Sequence, residues 1–175
     1  MRLIGLSGWS GSGKTTLLTR LIPALVERGR TVSTVKHAHH LFDVDKPGKD
    51  SYVHRQAGAL EVLISSDRRW ALMHEHRGAP ESALPELLAH LGAADLVLVE
   101  GFKSKAHPKI EIHRDIVGKP LLYPNDPQIV AIASDRAIAD APVPHVDLND
   151  IQAIADLVER YAVEPDRISW GALRP

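Results

Sequence analysis

The stretch Gly8-Trp9-Ser10-Gly11-Ser12-Gly13-Lys14-Thr15 decides the fold of this chain. It fits the G-x-x-x-x-G-K-[ST] pattern of the phosphate-binding loop at every required position. The mostly apolar run before it, residues 2–7, predicts a buried strand, and the run after it predicts a helix. Because strand, glycine-rich loop and helix follow one another in this order, the sequence predicts a nucleoside triphosphate site.

The residue types in this loop suit a phosphate chain. Glycines let the backbone adopt positive φ angles and bring N–H groups close to a ligand, at the start of a helix that favours an anion. Lys14 is expected to contact the β- and γ-phosphates, and the Thr15 hydroxyl to bind Mg²⁺. The Trp9 side chain is expected to pack on neighbouring protein, and no role is assigned to it. The predicted nucleotide-binding residues of the loop are Gly8, Trp9, Ser10, Gly11, Ser12, Gly13, Lys14, Thr15 and Thr16.

Length and composition predict one ordinary globular domain. The chain has 175 residues, 44% of them hydrophobic and 25% charged, so we expect a single nucleotide-binding domain over 1–175 with an irregular tail at 163–175. A net charge of −1 without a basic run argues against nucleic acid or a membrane as a partner. The chain has no cysteine, which excludes disulfides, thiolate metal sites and a catalytic thiol. Because neither a signal peptide nor a long apolar run is evident, we expect a cytoplasmic protein.

Apolar runs alternate with helical patterns along the chain, which is typical of α/β proteins. Together with the phosphate loop, this alternation predicts a three-layer phosphate-loop NTPase fold, with a mostly parallel central sheet flanked by helices. Predicted strands cover residues 2–7, 31–36, 59–65, 69–74, 95–100, 109–114 and 128–134, and predicted helices cover 14–28, 50–57, 80–91 and 149–162, the last capped by Asn149 or Asp147.

The predicted strand at 95–100 supplies a partner for the phosphate loop. It is apolar on both faces, so we expect it at the centre of the sheet, and it ends at Glu100. An acidic residue at the carboxyl end of a neighbouring parallel strand faces the ligand crevice, so Glu100 is expected to hold Mg²⁺ directly or through water. The alternative is an ordinary acid that ends a strand in a turn. Asp95 starts the strand and should lie at the opposite edge of the sheet.

The stretch from Lys36 to Ser51 also leaves the carboxyl end of a predicted strand, on the ligand side. Its three histidines, with Asp43 and Asp45, would suit a transition metal, although their spacing matches no closed zinc pattern. The favoured interpretation is a magnesium-linked aspartate, Asp43 or Asp45, with cations for the phosphates from His37 and Lys49. A solvated loop without function is the remaining alternative, although loops at this edge usually carry function.

Recognition of the base is left open by the residues. The Asn-Lys-x-Asp tetrapeptide that translation-factor GTPases use for guanine is missing from the chain. Asp135 ends a late strand, and a carboxylate there would suit the N1–H and amino donors of guanine. Asp135 would serve equally well as a helix cap or a turn residue.

Beyond the phosphate loop, five short blocks follow one another in a particular order. They are Lys36-His37-Ala38-His39-His40, Asp43-Val44-Asp45-Lys46-Pro47-Gly48-Lys49-Asp50-Ser51, Arg69-Trp70-Ala71-Leu72, Leu98-Val99-Glu100-Gly101-Phe102-Lys103 and Ala131-Ile132-Ala133-Ser134-Asp135. With the loop, these blocks resemble the MobB family of adaptor proteins in molybdopterin-guanine dinucleotide biosynthesis. The aspartate-rich block after the histidines is far more particular than the phosphate loop, which very many proteins share.

The resemblance implies a GTP-binding protein with weak GTPase activity. It implies a homodimer that assists a MobA-type guanylyltransferase, the enzyme that joins GMP to molybdopterin, with a molybdopterin-related molecule as a further partner. GTP and Mg²⁺ are the implied cofactors. By resemblance, the loop from Gly8 to Thr16 binds the nucleotide, Glu100 is the acid near the metal, and the segment 37–50 faces the phosphates.

Slow hydrolysis also agrees with the residues. Fast hydrolysis needs a residue that orients water and usually an arginine at the γ-phosphate. No glutamine stands at an obvious switch position, and the sequence does not rank the candidate arginines Arg55, Arg68, Arg69 and Arg114. Two alternatives stay open. One is a small-molecule kinase, although no arginine-rich lid is evident between Glu100 and Gln128, and the other is a metallochaperone-like GTPase that uses the histidines.

Overall fold

The computed structural model describes residues 1–38, 42–102 and 105–170 of the chain. The chain divides into two compact units. Unit 1 consists of Met1–His37 and Leu84–Pro175, and unit 2 consists of Ala38–Ala83. The prediction of a single domain over 1–175 stays a prediction.

Regular elements follow one another in the order expected of an α/β chain. Every predicted strand and helix is present, with bounds that mostly agree within two residues, but α3 is shorter than predicted and β8 was not predicted. The strands are β1 (Arg2–Ser7), β2 (Val32–Lys36), β3 (Glu61–Ser65), β4 (Trp70–His74), β5 (Leu96–Glu100), β6 (Lys109–His113), β7 (Ile129–Ser134) and β8 (His145–Asp147), and the helices are α1 (Lys14–Glu27), α2 (Asp50–Gln56), α3 (Leu84–Ala89) and α4 (Ile151–Tyr161).

Unit 1 is built on a six-stranded sheet with the order β2-β5-β1-β6-β7-β8. All its neighbouring strands run parallel, which confirms the predicted parallel sheet. Because the strands run the same way, their carboxyl ends meet at one edge, and ligands of such sheets bind in the crevice outside that edge. The loop that follows β1 therefore starts at the edge where a ligand is expected.

Helices α1 and α4 cover one face of this sheet. Alternate residues of each strand point to this face, where they form a core with the apolar stripes of the two helices. Asp150 caps α4, because its side chain accepts a hydrogen bond from the Ala153 N–H at 2.9 Å. The prediction of Asn149 or Asp147 as the cap is wrong, since the Asp147 carboxylate accepts from the Asn149 N–H in the preceding turn.

Helix α3 covers the opposite face, which makes unit 1 a three-layer structure and confirms the predicted fold class. Leu84 and Leu88 of α3 pack with Leu3, Val97 and Val99 of the central strands. The chain after α4 joins this side too, since Val163 exchanges two backbone hydrogen bonds with Leu3 of β1. Leu3 precedes the point where β6 begins to pair with β1 at Gly5, so Val163 supplies the hydrogen bonds that β6 does not.

Unit 2 contains helix α2 and the antiparallel hairpin of β3 and β4. The hairpin register pairs Glu61 with His74 and Ser65 with Trp70, in agreement with the strands predicted at 59–65 and 69–74. Only Val62 and Met73 of the hairpin are buried, at 9% exposure each. A two-stranded sheet with so little buried surface is marginal by itself.

In the parts of the chain that the structure describes, every helix falls short of the length and apolar character that a membrane span requires.

Candidate nucleotide-binding site

The phosphate loop connects β1 to α1 at the carboxyl edge of the unit 1 sheet. Two of its glycines, Gly11 and Gly13, adopt positive φ angles of 82° and 85°. Gly13 is also the residue that precedes α1. An added Cβ at Gly8 would lie 2.5 Å from the Ile112 carbonyl oxygen and 2.6 Å from Ser12 Oγ. The glycines of the motif are therefore needed for this backbone path.

Polar side chains close the loop on itself. Lys14 Nζ donates to the carbonyl oxygens of Gly8 and Trp9, both at 3.0 Å. Trp9 Nε1 donates to the Pro120 carbonyl oxygen at 2.8 Å, so the indole packs on protein as expected. Lys14 is thus held over the loop, where its charge lies beside the N-terminus of α1.

The loop fits a phosphate chain. The first N–H groups of α1 have no partner within the helix and attract an anion, and the first turn of α1 carries no acidic residue to compete. Ser12 Oγ is buried without a hydrogen-bond partner among the described residues. Buried hydroxyl groups are normally hydrogen-bonded, so an orphan here points to a ligand that supplies the partner.

Glu100 lies at the carboxyl end of β5, next to β1 and β2. The register pairs it with Leu6 on one side and with Lys36 on the other. Its side chain is 15% exposed and lies 3.8 Å from Lys36 Nζ, the distance of a loose ion pair. A single weakly paired carboxylate at this edge is a suitable ligand for Mg²⁺. Its role at the metal stays a prediction.

Asp95 stands at the other end of the same strand, as expected. Its carboxylate accepts hydrogen bonds from the backbone N–H and the hydroxyl of Thr31, both at 2.8 Å. These two bonds hold the pKa of Asp95 below its usual value, and the bond from the Thr31 backbone N–H has the larger effect. Asp95 therefore joins β5 to the start of β2, far along the strands from the loop edge.

His37 packs against the turn that follows β5. Its backbone N–H donates to the Glu100 carbonyl oxygen at 2.8 Å, and its ring lies 4.8 Å from the Phe102 ring between centroids. A Cβ at Gly101, which has φ of 97°, would lie 2.6 Å from His37 Cβ. His37 is thereby fixed beside Glu100, and its predicted phosphate contact stays a prediction.

Asp135 immediately follows β7 and is exposed. Its Oδ1 atom accepts a hydrogen bond from the Asp115 N–H at 2.9 Å, and the Asp115 carboxylate pairs with Arg136 at 3.0 Å. Asp135 therefore ties the turn after β6 to the end of β7. Its predicted contact with guanine stays a prediction.

Asp45 and Lys49, the other two predicted site residues, belong to unit 2. Asp45 Oδ1 accepts from Ser51 Oγ at 2.8 Å, and Asp45 Oδ2 accepts from Arg55 Nε at 3.1 Å. Burial raises the pKa of Asp45, but hydrogen bonds from Ser51, Lys46 and Arg55 outweigh it and lower the pKa overall. Lys49 is exposed and precedes α2. Their contacts with metal or phosphate stay predictions.

Arg55 is the centre of the charges in unit 2. Besides Asp45, it pairs with Asp43 at 2.9 Å and with Glu75 at 2.8 Å. Hydrogen bonds from Arg55 are the main cause that lowers the pKa of Asp43. The ion pairs give Arg55 a structural role in unit 2, which separates it from the other arginines that the sequence left unranked.

The metallochaperone alternative rests on the histidines after β2. His39 and His40 lie outside the described residues. Within residues 1–38, 42–102 and 105–170, no group of three or more histidine, cysteine, aspartate or glutamate side chains is placed to hold a metal ion.

Sequence reasoning missed a row of buried polar groups on one face of β6. Lys109, Glu111 and His113 alternate with Ile110 and Ile112, and all five are buried. The missed signal was this period-two alternation, which predicts that the polar side chains share one face. These side chains anchor the segment after β6 through the following contacts: Glu111 accepts from the N–H groups of Leu122 and Tyr123 at 2.7 and 2.9 Å, and Lys109 pairs with Asp126 at 3.1 Å.

Burial is the main influence on the pKa of Glu111 in this row. It raises the pKa of Glu111, although the two N–H groups oppose that shift. His107 precedes β6 and is fully buried against Gly5, where an added Cβ would lie 2.5 Å from its Nε2 atom. Burial, and then the charge of Lys109, lower the pKa of His107 to about 4.

Arg114, which follows β6, lies beside the phosphate loop. A Cβ at Gly13 would be 2.9 Å from its Nε atom and 3.3 Å from its Nη2 atom. Its Nε atom is buried without a hydrogen-bond partner among the described residues. The structure thus places one of the four unranked arginines next to the predicted site.

Known proteins of similar sequence point to one family. The family model described as Molybdopterin guanine dinucleotide synthesis protein B (MobB) matches residues 3–135. The molybdopterin-guanine dinucleotide biosynthesis adapter protein of Escherichia coli (strain K12) is 45% identical over 162 residues, which cover 91% of this chain and 92% of that protein. The protein of the same name from Haemophilus influenzae is 43% identical over 163 residues, which cover 91% and 88%.

A solved structure agrees with this sequence similarity. The crystal structure of a molybdopterin-guanine biosynthesis protein B (mobB) has a TM-score of 0.71 at 27% identity, and the match covers 90% of this chain and 98% of that one. Sequence and fold therefore indicate the same relatives over nearly the whole chain.

Proposed function

The chain belongs to the MobB family, that of molybdopterin guanine dinucleotide synthesis protein B, and on this premise we propose that it is a GTP-binding adaptor with weak GTPase activity. It assists a MobA-type guanylyltransferase in attaching GMP to molybdopterin. The observation that carries the proposal is a fully formed phosphate loop in a chain that is 45% identical to an adapter protein over 91% of its length.

In this proposal the loop from Gly8 to Thr16 binds the triphosphate. The α1 N-terminus, the orphan Ser12 hydroxyl and the Lys14 charge all favour an anion at this place. Asp135 reads guanine, since it follows β7 at the carboxyl edge of the sheet and a carboxylate accepts from two donors of that base.

In the proposed complex, Mg²⁺ would neutralise part of the charge of the phosphates. Thr15 supplies a hydroxyl from the start of α1, and Glu100 supplies a carboxylate from the neighbouring strand. Asp45 is the third proposed ligand. Its carboxylate already accepts from Ser51 and Arg55, so Glu100 and Thr15 are the better supported pair.

The proposal includes a homodimer in the cytoplasm, where GTP is available. The hairpin of unit 2 supports the dimer, because one of its faces carries exposed apolar side chains. Leu63 and Trp70 are each 61% exposed, and Leu72 is 37% exposed. Contiguous apolar side chains on a strand pair mark an association surface.

Calorimetric titration with GTP and then ATP, both with Mg²⁺, tests the nucleotide. We expect clear preference for GTP and little turnover by the protein alone. Lys14→Ala should remove most GTP binding, because Lys14 is the loop's own cation, and should leave the thermal midpoint nearly unchanged. Arg20→Ala is the matched control. It removes a cation from the same helix, but Arg20 donates to the Asn149 carbonyl oxygen and is not part of the phosphate loop.

Co-elution with a MobA-type guanylyltransferase tests the adaptor role. A complex whose formation depends on GTP supports the proposal. A robust ATPase that forms no such complex would contradict it and favour the small-molecule kinase.

A further inference from the structure

We propose that Arg114 is a second phosphate-binding cation of this site, which donates from its guanidinium group to a phosphate oxygen of the bound nucleotide. The proposal rests on the proposed function, because it assumes that the loop from Gly8 to Thr16 holds a triphosphate. It concerns binding, and it ranks Arg114 above the other arginines that the sequence offered.

The strand pattern explains why Arg114 reaches the loop. Strand β6 runs beside β1 with Ser7 paired to Glu111, so both chains leave the sheet at the same edge. Side chains alternate along β6, and Ile110 and Ile112 point to the core under α1. Arg114 continues this alternation, which directs its side chain to the α1 side of the sheet, where Gly13 lies.

The approach to Gly13 is close. A Cβ on that residue would lie 2.9 Å from Arg114 Nε, closer than real Cβ contacts come, and 3.3 Å from Nη2, which is a tight contact. Gly13, which has a φ of 85° and no side chain, leaves room for the guanidinium to lie against the start of α1. The Arg114 backbone is extended, and its carbonyl oxygen accepts from the Val117 N–H at 3.1 Å, which fixes the position of the residue.

The guanidinium has an unmet donor at this place. Arg114 Nε is buried and has no acceptor in the described part of the chain. The two acids of the same segment bond to other groups, since Asp115 pairs with Arg136 and Glu111 accepts from the N–H groups of Leu122 and Tyr123. Arginine cannot lose its proton in proteins, so a buried N–H without a partner favours an anion. A phosphate at the α1 N-terminus is such an anion.

The two cations would act from different sides. Lys14 reaches the loop from within α1, and Arg114 approaches it from the adjacent strand. A planar guanidinium binds phosphate through parallel N–H groups, which a lysine does not reproduce. Arg114 would therefore add both affinity and a fixed orientation of the phosphate chain.

Titration of Arg114→Gln and Arg114→Lys with two probes, GTP and inorganic tripolyphosphate, each with Mg²⁺, tests the proposal. We expect Arg114→Gln to lower the affinity for both probes by about 10- to 100-fold, which is the effect of losing one charge-assisted hydrogen bond. Arg114→Lys should recover part of the loss because it keeps the charge. The thermal midpoint of the nucleotide-free variant should stay within about 2 °C of the wild-type value. Arg167→Gln, at an exposed pair with Glu164, is the control and should bind as the wild type.

Three results with a wild type that binds would overturn the proposal for Arg114 alone. In the first, Arg114→Gln binds both probes as the wild type does. In the second, this variant loses binding of GTP but keeps binding of tripolyphosphate. In the third, its thermal midpoint falls and Arg114→Lys does not restore it. A wild-type protein that binds neither probe overturns the proposed function itself, and the proposal for Arg114 with it.

Discussion

Glu100 and Asp95 stand at opposite ends of one strand, and their surroundings differ. Glu100 has one loose ion pair at the ligand edge, whereas Asp95 accepts two short hydrogen bonds from Thr31. We predict that Glu100→Gln weakens GTP binding with Mg²⁺ by roughly 10-fold and leaves binding without Mg²⁺ nearly unchanged, because an amide is a poorer ligand for this ion. Calorimetry with Mg²⁺ and with a chelator measures both quantities.

Asp95→Asn is the matched control for this prediction. It should lower the thermal midpoint, because it weakens the join between β2 and β5, but it should leave the effect of Mg²⁺ on binding unchanged. An equal loss with and without Mg²⁺ in Glu100→Gln would contradict a role at the metal.

His107 makes the stability of unit 1 depend on pH. Its pKa is about 4 in the folded chain, against 6.5 for an ordinary histidine, because burial and Lys109 disfavour the charged ring. The unfolded chain therefore binds more protons between these values. Above about pH 6.5 the ring is neutral in both states and His107 does not lower the free energy of unfolding. As the pH falls toward 4, protonation of the unfolded chain lowers that free energy.

Between pH 7 and pH 5, we predict that the free energy of unfolding falls by about 2 kcal/mol less in His107→Gln than in the wild type. Urea unfolding of both proteins at the two pH values measures this difference, and the comparison cancels the contributions of the groups that both proteins keep. His145→Gln, an exposed histidine on β8, should change nothing. A wild-type pH dependence that persists in His107→Gln would show that another group titrates.

The site residues differ in how local their sequence signal is. The loop from Gly8 to Thr15 could be predicted from eight consecutive residues, because its backbone path and the start of the helix are set by neighbours along the chain. Arg114 could not be ranked, because its closeness to Gly13 depends on the pairing of β1 with β6, a hundred positions apart. No pattern within one strand predicts which strand it pairs with.

At the scale of elements, α4 depends on one cap. Asp150 accepts from the Ala153 N–H, which satisfies one of the helix's unpaired donors. We predict that Asp150→Ala lowers the free energy of unfolding by about 1 kcal/mol, measured by urea unfolding, and that Asp150→Asn, which keeps an acceptor, is nearly neutral. An equal loss in both variants would show that the negative charge stabilises α4 and that the hydrogen bond does not.

Most elements were predictable, because their apolar period is long enough to read. Strand β8 was missed since it has three residues, pairs on one side only and has no apolar run. Helix α3 was predicted to start at Pro80 but starts at Leu84, where Leu84 and Leu88 reach the core. A proline is tolerated in the first turn of a helix, and Pro85 rather than Pro80 takes that place.

At the scale of the whole molecule, the exposed apolar face of the unit 2 hairpin is relevant to association between copies of the chain. Leu63 faces Leu72 across the hairpin, and Trp70 lies on the same face. Leu63 and Trp70 are each 61% exposed. A strand pair with an apolar exposed face readily binds a second copy of its own surface, since a two-fold axis brings identical patches together.

We predict that the wild type is a dimer and that Leu63→Lys is a monomer, because a buried lysine without a partner would oppose association strongly. Light scattering coupled to size exclusion measures the mass, which should be twice that of one chain for the wild type. Val26→Lys replaces another exposed apolar residue, at 54% exposure on α1, and should stay dimeric. If Leu63→Lys remains a dimer while Val26→Lys dissociates, the contact between copies lies on unit 1 and the hairpin face has another use.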